Sequence, residues 1–286
     1  MELAIISGKG GTGKSSISAA FTSMQQPVML ADCDVDAANM FILFNPTHEE
    51  EQVYIGGEKA IIDYDRCNNC GLCISYCRFD AIKCVNNIVH ILEEVCDGCK
   101  LCSRICPFEA ISIVQNDKSR MYSGSFRYGK MVYGRLAPGE ENSGKLVNIV
   151  RAKAREIAKK HNIENIIIDG PPGIGCAVVS TITGTDHTLI VTEPSASALH
   201  DLKRTIDICN KFNLKIWVTI NKADINPDMT EHIIQYCKEN NIAIAGLIPF
   251  DKSVVEAMVQ CKTIMEYRPE SLAAKPIITI YNNILG

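Results

Sequence analysis

The chain has 286 residues, 47% of them hydrophobic and 22% charged, and a formal net charge of −4. This is enough apolar material for one large domain with a smaller domain inserted into it. The mild charge argues against a nucleic-acid surface, because proteins that follow a phosphate backbone usually carry a basic face. No apolar run approaches the roughly 20 residues that cross a bilayer, and the chain starts without the pattern of a signal peptide. We therefore expect a cytoplasmic protein with no membrane anchor and no nucleic-acid partner.

The first predicted elements are a strand over Leu3-Ala4-Ile5-Ile6, a glycine-rich loop and a helix from Ser16 to about Ser23. The loop reads Gly8-Lys9-Gly10-Gly11-Thr12-Gly13-Lys14-Ser15. Glycines let backbone N–H groups approach a polyphosphate, and the N-terminus of the next helix adds partial positive charge. In such a loop the lysine, here Lys14, meets the β- and γ-phosphates, and Ser15 offers its hydroxyl to Mg²⁺. The predicted cofactor-binding residues are Gly8, Gly10, Gly11, Thr12, Gly13, Lys14 and Ser15.

Lys9, directly after the first glycine, makes the pattern narrower. With this lysine the loop resembles that of the deviant Walker A group of P-loop ATPases, which includes MinD, ParA, Mrp and the nitrogenase iron protein. In that group the additional lysine reaches across a dimer to the partner's nucleotide. The resemblance implies ATP or ADP with Mg²⁺ as the ligand, catalytic roles for Lys9 and Lys14, and an ATP-dependent homodimer.

A second buried strand, Val28-Met29-Leu30-Ala31, leads into three acidic residues, Asp32, Asp34 and Asp36. Carboxylates at the C-terminal end of a parallel strand lie at the edge where ligands bind in open α/β sheets. The segment resembles switch I of the same ATPase group, whose second aspartate orients the attacking water and matches Asp34. Asp36 is close enough in sequence to share this role. The alternative is a structural role, in which these acids only cap the next helix.

The chain has fourteen cysteines. In a reducing compartment, metal or cluster binding is a better explanation for them than disulfides. Eight of them form two copies of the pattern CxxCxxCxxxC, and the second copy lies 29 positions after the first. The first copy is Cys67, Cys70, Cys73 and Cys77, and the second is Cys96, Cys99, Cys102 and Cys106.

This spacing is that of bacterial two-cluster ferredoxins, in which three thiolates of one copy and the fourth of the other hold each [4Fe–4S] cluster. It assigns Cys67, Cys70, Cys73 and Cys106 to cluster 1, and Cys96, Cys99, Cys102 and Cys77 to cluster 2. Zinc also binds four cysteines, but zinc modules normally pair two CxxC units. Arg78 stands where the ferredoxin pattern has proline, which bears on the potential of a cluster more than on its presence.

An alternating pattern from Ser125 to Tyr133 predicts a β-hairpin, which either bridges the inserted module to the main sheet or forms part of a partner surface. Glu141-Asn142-Ser143-Gly144 precedes an amphipathic helix. The next strand ends in Asp169, and with Gly170 to Gly175 it resembles Walker B and switch II of the ATPase group. By this resemblance Asp169 holds Mg²⁺ directly or through a water, and the glycine segment senses the γ-phosphate.

Cys176 lies seven positions after Asp169, the offset at which the nitrogenase iron protein carries a cluster ligand that bridges its subunits. That site needs a second cysteine upstream, and residues 138–144 contain none. We therefore expect Cys176 to be a small buried residue.

Three further strands are predicted at 188–192, 215–220 and 242–248, and helices alternate with them, which favours a mainly parallel sheet covered on both sides. Asn221-Lys222-Ala223-Asp224, at the end of a strand, resembles the NKxD base-recognition motif of P-loop proteins. By this resemblance Asn221 contacts an adenine ring, and Pro249 belongs to the segment that flanks the ring.

The sequence thus predicts an α/β fold: a mainly parallel, doubly wound P-loop ATPase sheet, residues 1–52 and 119–286, with an inserted α+β bacterial-type ferredoxin domain, residues 53–118. The chain resembles the MinD-superfamily ATPases that contain such a domain. The expected function is ATP binding and hydrolysis coupled to electron transfer through two [4Fe–4S] clusters to a redox partner protein.

The alternative function is that of an ATPase that assembles or delivers iron–sulfur clusters or a cofactor, with an acceptor protein as its partner. Carriers of this type use a CxxC motif late in the chain, and none is present here. A membrane-partitioning ATPase of the MinD type is disfavoured, because residues 276–286 carry no basic face.

Overall fold

The computed structural model of the chain describes residues 1–140 and 143–286. They fall into two compact units. The first, which we call the sheet unit, comprises Met1–Glu51, Met121–Gly134 and Gly144–Gly286. The second, the cysteine unit, comprises Gln52–Arg120 and Arg135–Ser143 apart from the two residues that are not described.

The described residues form thirteen strands and eleven α-helices. The strands are β1 (Glu2–Ser7), β2 (Val28–Asp32), β3 (Glu50–Tyr54), β4 (Gly57–Ile62), β5 (Ile82–Val85), β6 (Ile88–Ile91), β7 (Ile111–Asn116), β8 (Ser119–Phe126), β9 (Gly129–Arg135), β10 (Ile166–Pro172), β11 (His187–Thr192), β12 (Lys215–Asn221) and β13 (Ala243–Ile248). The helices are α1 (Lys14–Ser23), α2 (Met40–Phe44), α3 (Leu72–Tyr76), α4 (Leu101–Ile105), α5 (Ser143–Lys160), α6 (Cys176–Ile182), α7 (Ala196–Lys211), α8 (Pro227–Glu239), α9 (Lys252–Val259), α10 (Ile264–Tyr267) and α11 (Ala274–Leu285).

Nine strands form one sheet in the order β13-β12-β11-β1-β10-β2-β9-β8-β3. From β13 to β9 every neighbouring pair is parallel. The central strands are buried along almost their whole length, as expected for parallel strands that are covered on both faces. The prediction of an α/β fold with a large, mainly parallel sheet is confirmed.

Helices α1 and α11 contribute to the main core of the sheet unit. The ring of Phe21 in α1 is fully buried and meets Tyr281 of α11 edge to face, with 5.3 Å between the centroids. Ile277, Ile280 and Ile284 line the buried side of α11. Each such side chain contributes about 1.5–3 kcal/mol when it leaves water. The C-terminal helix is therefore a core element of this unit.

The predicted hairpin is present and extends the main sheet. Strands β8 and β9 are neighbours, joined by the two residues Arg127 and Tyr128. Strand β9 runs parallel to β2, from the pair Val28 and Gly129 to the pair Asp32 and Tyr133. The hairpin thus lies beside the strand that leads into the acidic segment.

The sequence repeat in the cysteine unit is also a repeat of backbone structure. Helices α3 and α4 are related by the same shift of 29 positions as the cysteines. Asn69 and Gly71 have positive φ angles of 59° and 73°, and their counterparts Gly98 and Lys100 have 65° and 66°. Strand β4 pairs with β7 and β5 with β6, both antiparallel. Each copy therefore builds the same tight loop before its helix.

Two details differ from the predictions or fall outside the description. Strand β10 does not end at Asp169 but continues to Pro172, which pairs with Ser7 after a break in the register with β1. Glu141 and Asn142, predicted to precede helix α5, lie outside the described residues. Within the described chain, no helix combines the length and apolarity needed to span a membrane.

Candidate nucleotide and cysteine sites

The glycine-rich stretch forms the loop between β1 and α1. Gly11 and Gly13 have left-handed φ angles of 82° and 93°. A Cβ atom on Gly13 would stand 2.2 Å from Nδ2 of Asn221, so this position has no room for a side chain. Asn221 Nδ2 donates a hydrogen bond of 2.8 Å to the carbonyl oxygen of Thr12. The predicted base-binding asparagine therefore also braces the loop.

Lys14 is the first residue of α1, and its ammonium group is surrounded by acids. Nζ lies 3.0 Å from Oδ2 of Asp169 and 3.6 Å from Oδ2 of Asp34. The Ser15 hydroxyl donates to the same Asp169 oxygen at 2.9 Å. Burial alone would lower the pKa of Lys14, but the two carboxylates raise it above its ordinary value. The structure thus brings together the four predicted residues Lys14, Ser15, Asp34 and Asp169.

Ser18, one turn further along α1, completes the surroundings of Asp169 and was missed by the motif analysis. Its hydroxyl is 2.7 Å from Asp169 Oδ1 and 3.1 Å from the Lys14 carbonyl oxygen. Ser18 and Asp169 are both fully buried. Ser18 therefore fixes one carboxylate oxygen and leaves the other directed at Lys14 and Ser15.

Asp32 is a second buried acid of this site. Its carboxylate accepts hydrogen bonds from the backbone N–H groups of Asp34, Asn39 and Met40, at 3.1–3.2 Å. Burial, followed by the negative charge of Asp169, raises the pKa of Asp32 to about 8. Asp32 thus organises residues 32–36, which we call the acidic segment, and binds it to the start of α2.

Asp34 and Asp36 differ in their burial. Asp34 is nearly buried and close to Lys14, and burial raises its pKa although Lys14 opposes the rise. The Asp36 side chain is exposed, and the neighbouring protein atoms that displace part of its water raise its pKa. Asp34 and Asp169 thus place two carboxylates beside one lysine, with the buried Asp32 behind Asp34 in the chain.

Lys9 folds back onto its own chain at the other end of the loop. Its Nζ lies 2.7 Å from Oε1 of Glu193, and Ser195 and Ser197 accept at 3.2 and 3.3 Å. Lys222 contacts the other Glu193 oxygen and the Gly11 carbonyl oxygen, both at 2.9 Å. Burial works against the Glu193 charge, but the hydrogen bonds from the two lysines hold its pKa below the ordinary value. Motif analysis did not identify Glu193, because its partner Lys9 is 184 positions away.

A cavity of about 240 Å³ opens beside Gly11 and Gly13. The lining includes Asn221, Ile248, Pro249, Phe250, Val254 and Ile277. Each of the two acids at this side accepts hydrogen bonds from backbone N–H groups. Asp224 accepts from Phe250 at 2.6 Å, and Asp251 accepts from Ser253 and Ala273 at 2.8 and 3.1 Å. The cavity thus combines apolar walls with the Asn221 amide.

The cysteine unit contains two further cavities, each lined by four of the eight repeat cysteines. The first is lined by Cys67, Cys70, Cys73 and Cys106. The second is lined by Cys96, Cys99, Cys102 and Cys77. In each set three cysteines come from one copy of the repeat and the fourth from the other. The two sets coincide with those that the spacing assigned to clusters 1 and 2.

The thiols of each set lie close enough to influence one another. Burial raises the pKa of Cys73, and the charges of Cys67, Cys70 and Cys106 raise it further. Backbone N–H groups point at two of the sulfur atoms: Ala60 donates to Cys96 Sγ at 3.5 Å and Ala110 to Cys106 Sγ at 3.4 Å. Hydrogen bonds to sulfur are one of the means by which a protein adjusts a bound iron–sulfur cluster.

One observation limits the search for other metal sites. In the described part of the chain, no three His, Cys, Asp or Glu side chains are close enough to hold a single metal ion.

The prediction that Cys176 is buried is wrong, because its side chain is exposed at the first position of α6. The buried face of this helix is formed by Ala177, Val178, Thr181 and Ile182 instead.

The family described as CobQ/CobB/MinD/ParA nucleotide binding domain matches residues 3–264. The chain belongs to this family. It is a P-loop ATPase of the MinD/ParA type. An uncharacterized protein of Methanocaldococcus jannaschii is 40% identical to it over 229 residues, which are 79% of this chain and 79% of that protein.

Two characterised proteins are more distantly similar. The septum site-determining protein MinD of Pyrococcus horikoshii, complexed with Mg-ADP, has a TM-score of 0.57 at 18% identity, over 100% of this chain and 96% of that chain. At this identity the likeness shows the fold alone. The cytosolic Fe-S cluster assembly factor nubp2 of Xenopus laevis is 24% identical over 145 residues, 43% of this chain and 52% of that protein.

Proposed function

We propose that this protein binds and hydrolyses Mg-ATP in the sheet unit and couples the nucleotide cycle to electron transfer through two [4Fe–4S] clusters in the cysteine unit. The observation that carries the proposal is the division of the eight repeat cysteines between two cavities, each with the crossed set of four. A structural role for the cysteines does not require this crossing, whereas two-cluster ferredoxins use it.

The nucleotide half of the proposal follows from the charges around the loop. Backbone N–H groups of Gly8 to Ser15 and the ammonium groups of Lys14 and Lys9 offer positive charge to a polyphosphate. We assign Ser15 and Asp169 to the binding of Mg²⁺, and Asp34, with Asp36 as the alternative, to the orientation of a water. The hydroxyl of Thr12 is buried and has no hydrogen-bond partner among the described residues. Because buried polar groups are normally hydrogen-bonded, this hydroxyl is available to a phosphate oxygen in the loop.

Adenine is the base that the cavity beside the loop favours. Both carboxylate oxygens of Asp251 accept backbone N–H groups, and Oδ1 of Asp224 accepts that of Phe250. Asn221 and Pro249 line the cavity, and its other walls are mostly apolar. MinD of Pyrococcus horikoshii, which shares the fold, is complexed with Mg-ADP. Lys9 resembles the additional lysine that reaches the partner's nucleotide in the deviant Walker A group. We therefore also propose that the protein forms an ATP-dependent homodimer.

The cysteine sets fit [4Fe–4S] clusters in ligand number, ligand type and surroundings. All fourteen cysteines are free thiols, which suits a reducing compartment such as the cytoplasm. A cluster with one thiolate at each iron separates its four ligands more widely than a single ion does. The described cysteines of each set are not close enough for three of them to hold one ion. When bound, such clusters supply one-electron transfer. On this reading residues 53–118 are an inserted ferredoxin domain that serves a redox partner protein.

A second candidate is an ATPase that assembles or delivers iron–sulfur clusters. The similarity to nubp2, named as a cytosolic Fe-S cluster assembly factor, favours it. The two candidates differ in the fate of the iron. An electron-transfer protein retains its clusters during turnover, whereas a delivery factor loses them to an acceptor.

The test is an anaerobic assay of reduction of a low-potential acceptor, with and without Mg-ATP, on wild-type protein and Lys14→Ala. The proposal expects reduction that depends on ATP in the wild type and is lost in the variant, with iron content constant throughout. Reduction that ignores ATP would contradict the coupling. Transfer of iron to an apo-ferredoxin in the presence of a chelator would favour the delivery factor instead.

A further inference from the structure

The turn of the β8–β9 hairpin carries an arginine that binds the end of helix α2. Arg127 Nη1 lies 3.2 Å from the carbonyl oxygen of Leu43 and 3.3 Å from that of Phe44. The guanidinium carbon is 4.8 Å from the centroid of the Phe44 ring, a cation–π distance. Helix α2 has only five residues, so it gains little stability from its own hydrogen bonds. Arg127 thus supplies donors to carbonyl groups that a helix end leaves unpaired.

The same guanidinium binds Glu266 on its other side. Nε and Nη2 donate to the two carboxylate oxygens at 2.6 and 3.0 Å, a bidentate pair. Glu266 also accepts from Tyr128 at 2.7 Å and from the backbone N–H of Thr263 at 2.6 Å. Through the Thr263 hydroxyl the network reaches Ser23 Oγ at 3.0 Å.

Two of the elements joined by this network begin in the nucleotide site. Helix α1 begins at Lys14 and ends at Ser23. Helix α2 follows the acidic segment, whose fold is fixed by hydrogen bonds from Asn39 and Met40 to Asp32. The hairpin is the third element, and along its strand β8 the chain passes after Arg120 from the first segment of the cysteine unit back into the sheet unit.

We propose that Arg127 is a positioning residue that transmits a nucleotide-dependent movement of the acidic segment, through helix α2, to the β8–β9 hairpin. The fork of one guanidinium binds the end of α2 and Glu266 of α10 at once, so α2 cannot shift without the hairpin turn following it or the bonds breaking. The inference rests on the proposed function, because the movement that Arg127 transmits requires a nucleotide bound in the sheet unit.

The test compares Arg127→Lys with the wild type by hydrogen–deuterium exchange of residues 119–135, with and without Mg-ATP. Lysine keeps the positive charge for Glu266 but has no fork with which to hold α2 as well. We expect the ATP-dependent change in exchange of the hairpin to fall at least fivefold in the variant. Nucleotide affinity, measured separately by equilibrium binding, should stay within twofold of the wild type.

Two further variants separate coupling from stability. Tyr128→Phe removes one bond to Glu266 but leaves Arg127 on α2, and it should keep the full response of the hairpin. Arg155→Lys, on α5 and paired with Glu2, is a matched control that should also keep it. The inference is overturned if Arg127→Lys keeps the response, if Tyr128→Phe loses it equally, or if ATP binds the wild type without changing the hairpin. Failure of the wild type to bind nucleotide would instead contradict the proposed function.

Discussion

The sheet unit and the cysteine unit solve the problem of holding a ligand in opposite ways. In the sheet unit the charged groups of the site bind one another: Lys14 pairs with Asp169 and Lys9 with Glu193. In the cysteine unit the candidate ligands line cavities, and backbone N–H groups point at two of the sulfur atoms. The first unit has an extensive buried core of its own. The hydrophobic cluster of the second consists of Ala60, Cys73, Ile82, Val89 and Ile111.

The comparison teaches which unit depends on its ligand for folding. A small unit with so few buried side chains usually requires disulfides, a metal or another partner to be stable. Ligand binding to a site that does not exist in the unfolded chain adds directly to the free energy of folding. We therefore expect the cysteine unit to be stable only when loaded, and the sheet unit to fold without nucleotide.

The largest expected effect is on the cysteine unit. Cys73→Ser removes a ligand of the first cavity, and we expect loss of about half the bound iron. Residues 57–116 should then exchange their amide hydrogens faster, while strands β1, β10 and β11 stay protected. The control is Cys84→Ser, an exposed cysteine of the same unit outside both sets. Equal iron content in the two variants would remove Cys73 from the cluster site.

The next effect concerns the other unit. Lys14→Ala should weaken ATP binding about 10- to 100-fold, because a hydrogen bond to a charged group is worth about 1.5–3 kcal/mol. Its iron content should not change. Isothermal titration calorimetry measures the affinity, with Lys238→Ala at an exposed position of α8 as the control. A variant that binds ATP as the wild type does would show that the loop is not the phosphate site.

Ser18 offers a finer test of the cation site. Ser18→Ala removes the hydroxyl that holds Asp169 Oδ1, and the loss of about 1–1.5 kcal/mol should raise the Mg²⁺ concentration needed for half-maximal activity about tenfold. Nucleotide affinity in EDTA should not change, and Ser18→Thr should restore the wild-type requirement. A loss of affinity that is equal with and without Mg²⁺ would mean that Ser18 serves only the packing of α1.

The last prediction concerns the pH dependence of stability. Asp32 has a pKa of about 8 in the folded protein and an ordinary value near 3.8 when unfolded. Between these values the folded state holds the extra proton, so the free energy of unfolding should fall as pH rises from about 4 to 8. Denaturation in urea without Mg²⁺, at pH 5 and pH 8, should show a smaller difference for Asp32→Asn than for the wild type. An unchanged difference would assign the effect to another group.

Local sequence patterns predicted what neighbouring residues determine by themselves. Short segments of sequence determine three features: the order of strand, glycine loop and helix, the hairpin at Arg127, and the 29-residue repeat. The contacts that refine the site are different, because they join distant residues. Ser18 meets Asp169 across 151 positions and Arg127 meets Glu266 across 139. Only the tertiary fold brings such pairs together.

The two errors have different origins. Asp169 was expected at the end of its strand, because an acid after an apolar run usually marks that end. Pairing with β1 carries strand β10 on to Pro172 instead. Cys176 was expected to be buried on the general behaviour of free cysteines, but the apolar side of α6 is formed by the residues that follow it.

The central claim is that one chain holds a Mg-nucleotide site and two iron–sulfur clusters that respond to it. The most direct measurement is electron paramagnetic resonance of dithionite-reduced, anaerobically prepared protein, with iron and sulfide quantified in the same sample, before and after Mg-ATP. The account predicts about eight iron and eight sulfide per chain and a spectrum that changes with Mg-ATP in the wild type but not in Lys14→Ala. Protein without inorganic sulfide, or a fully loaded protein whose spectrum ignores ATP, would contradict it.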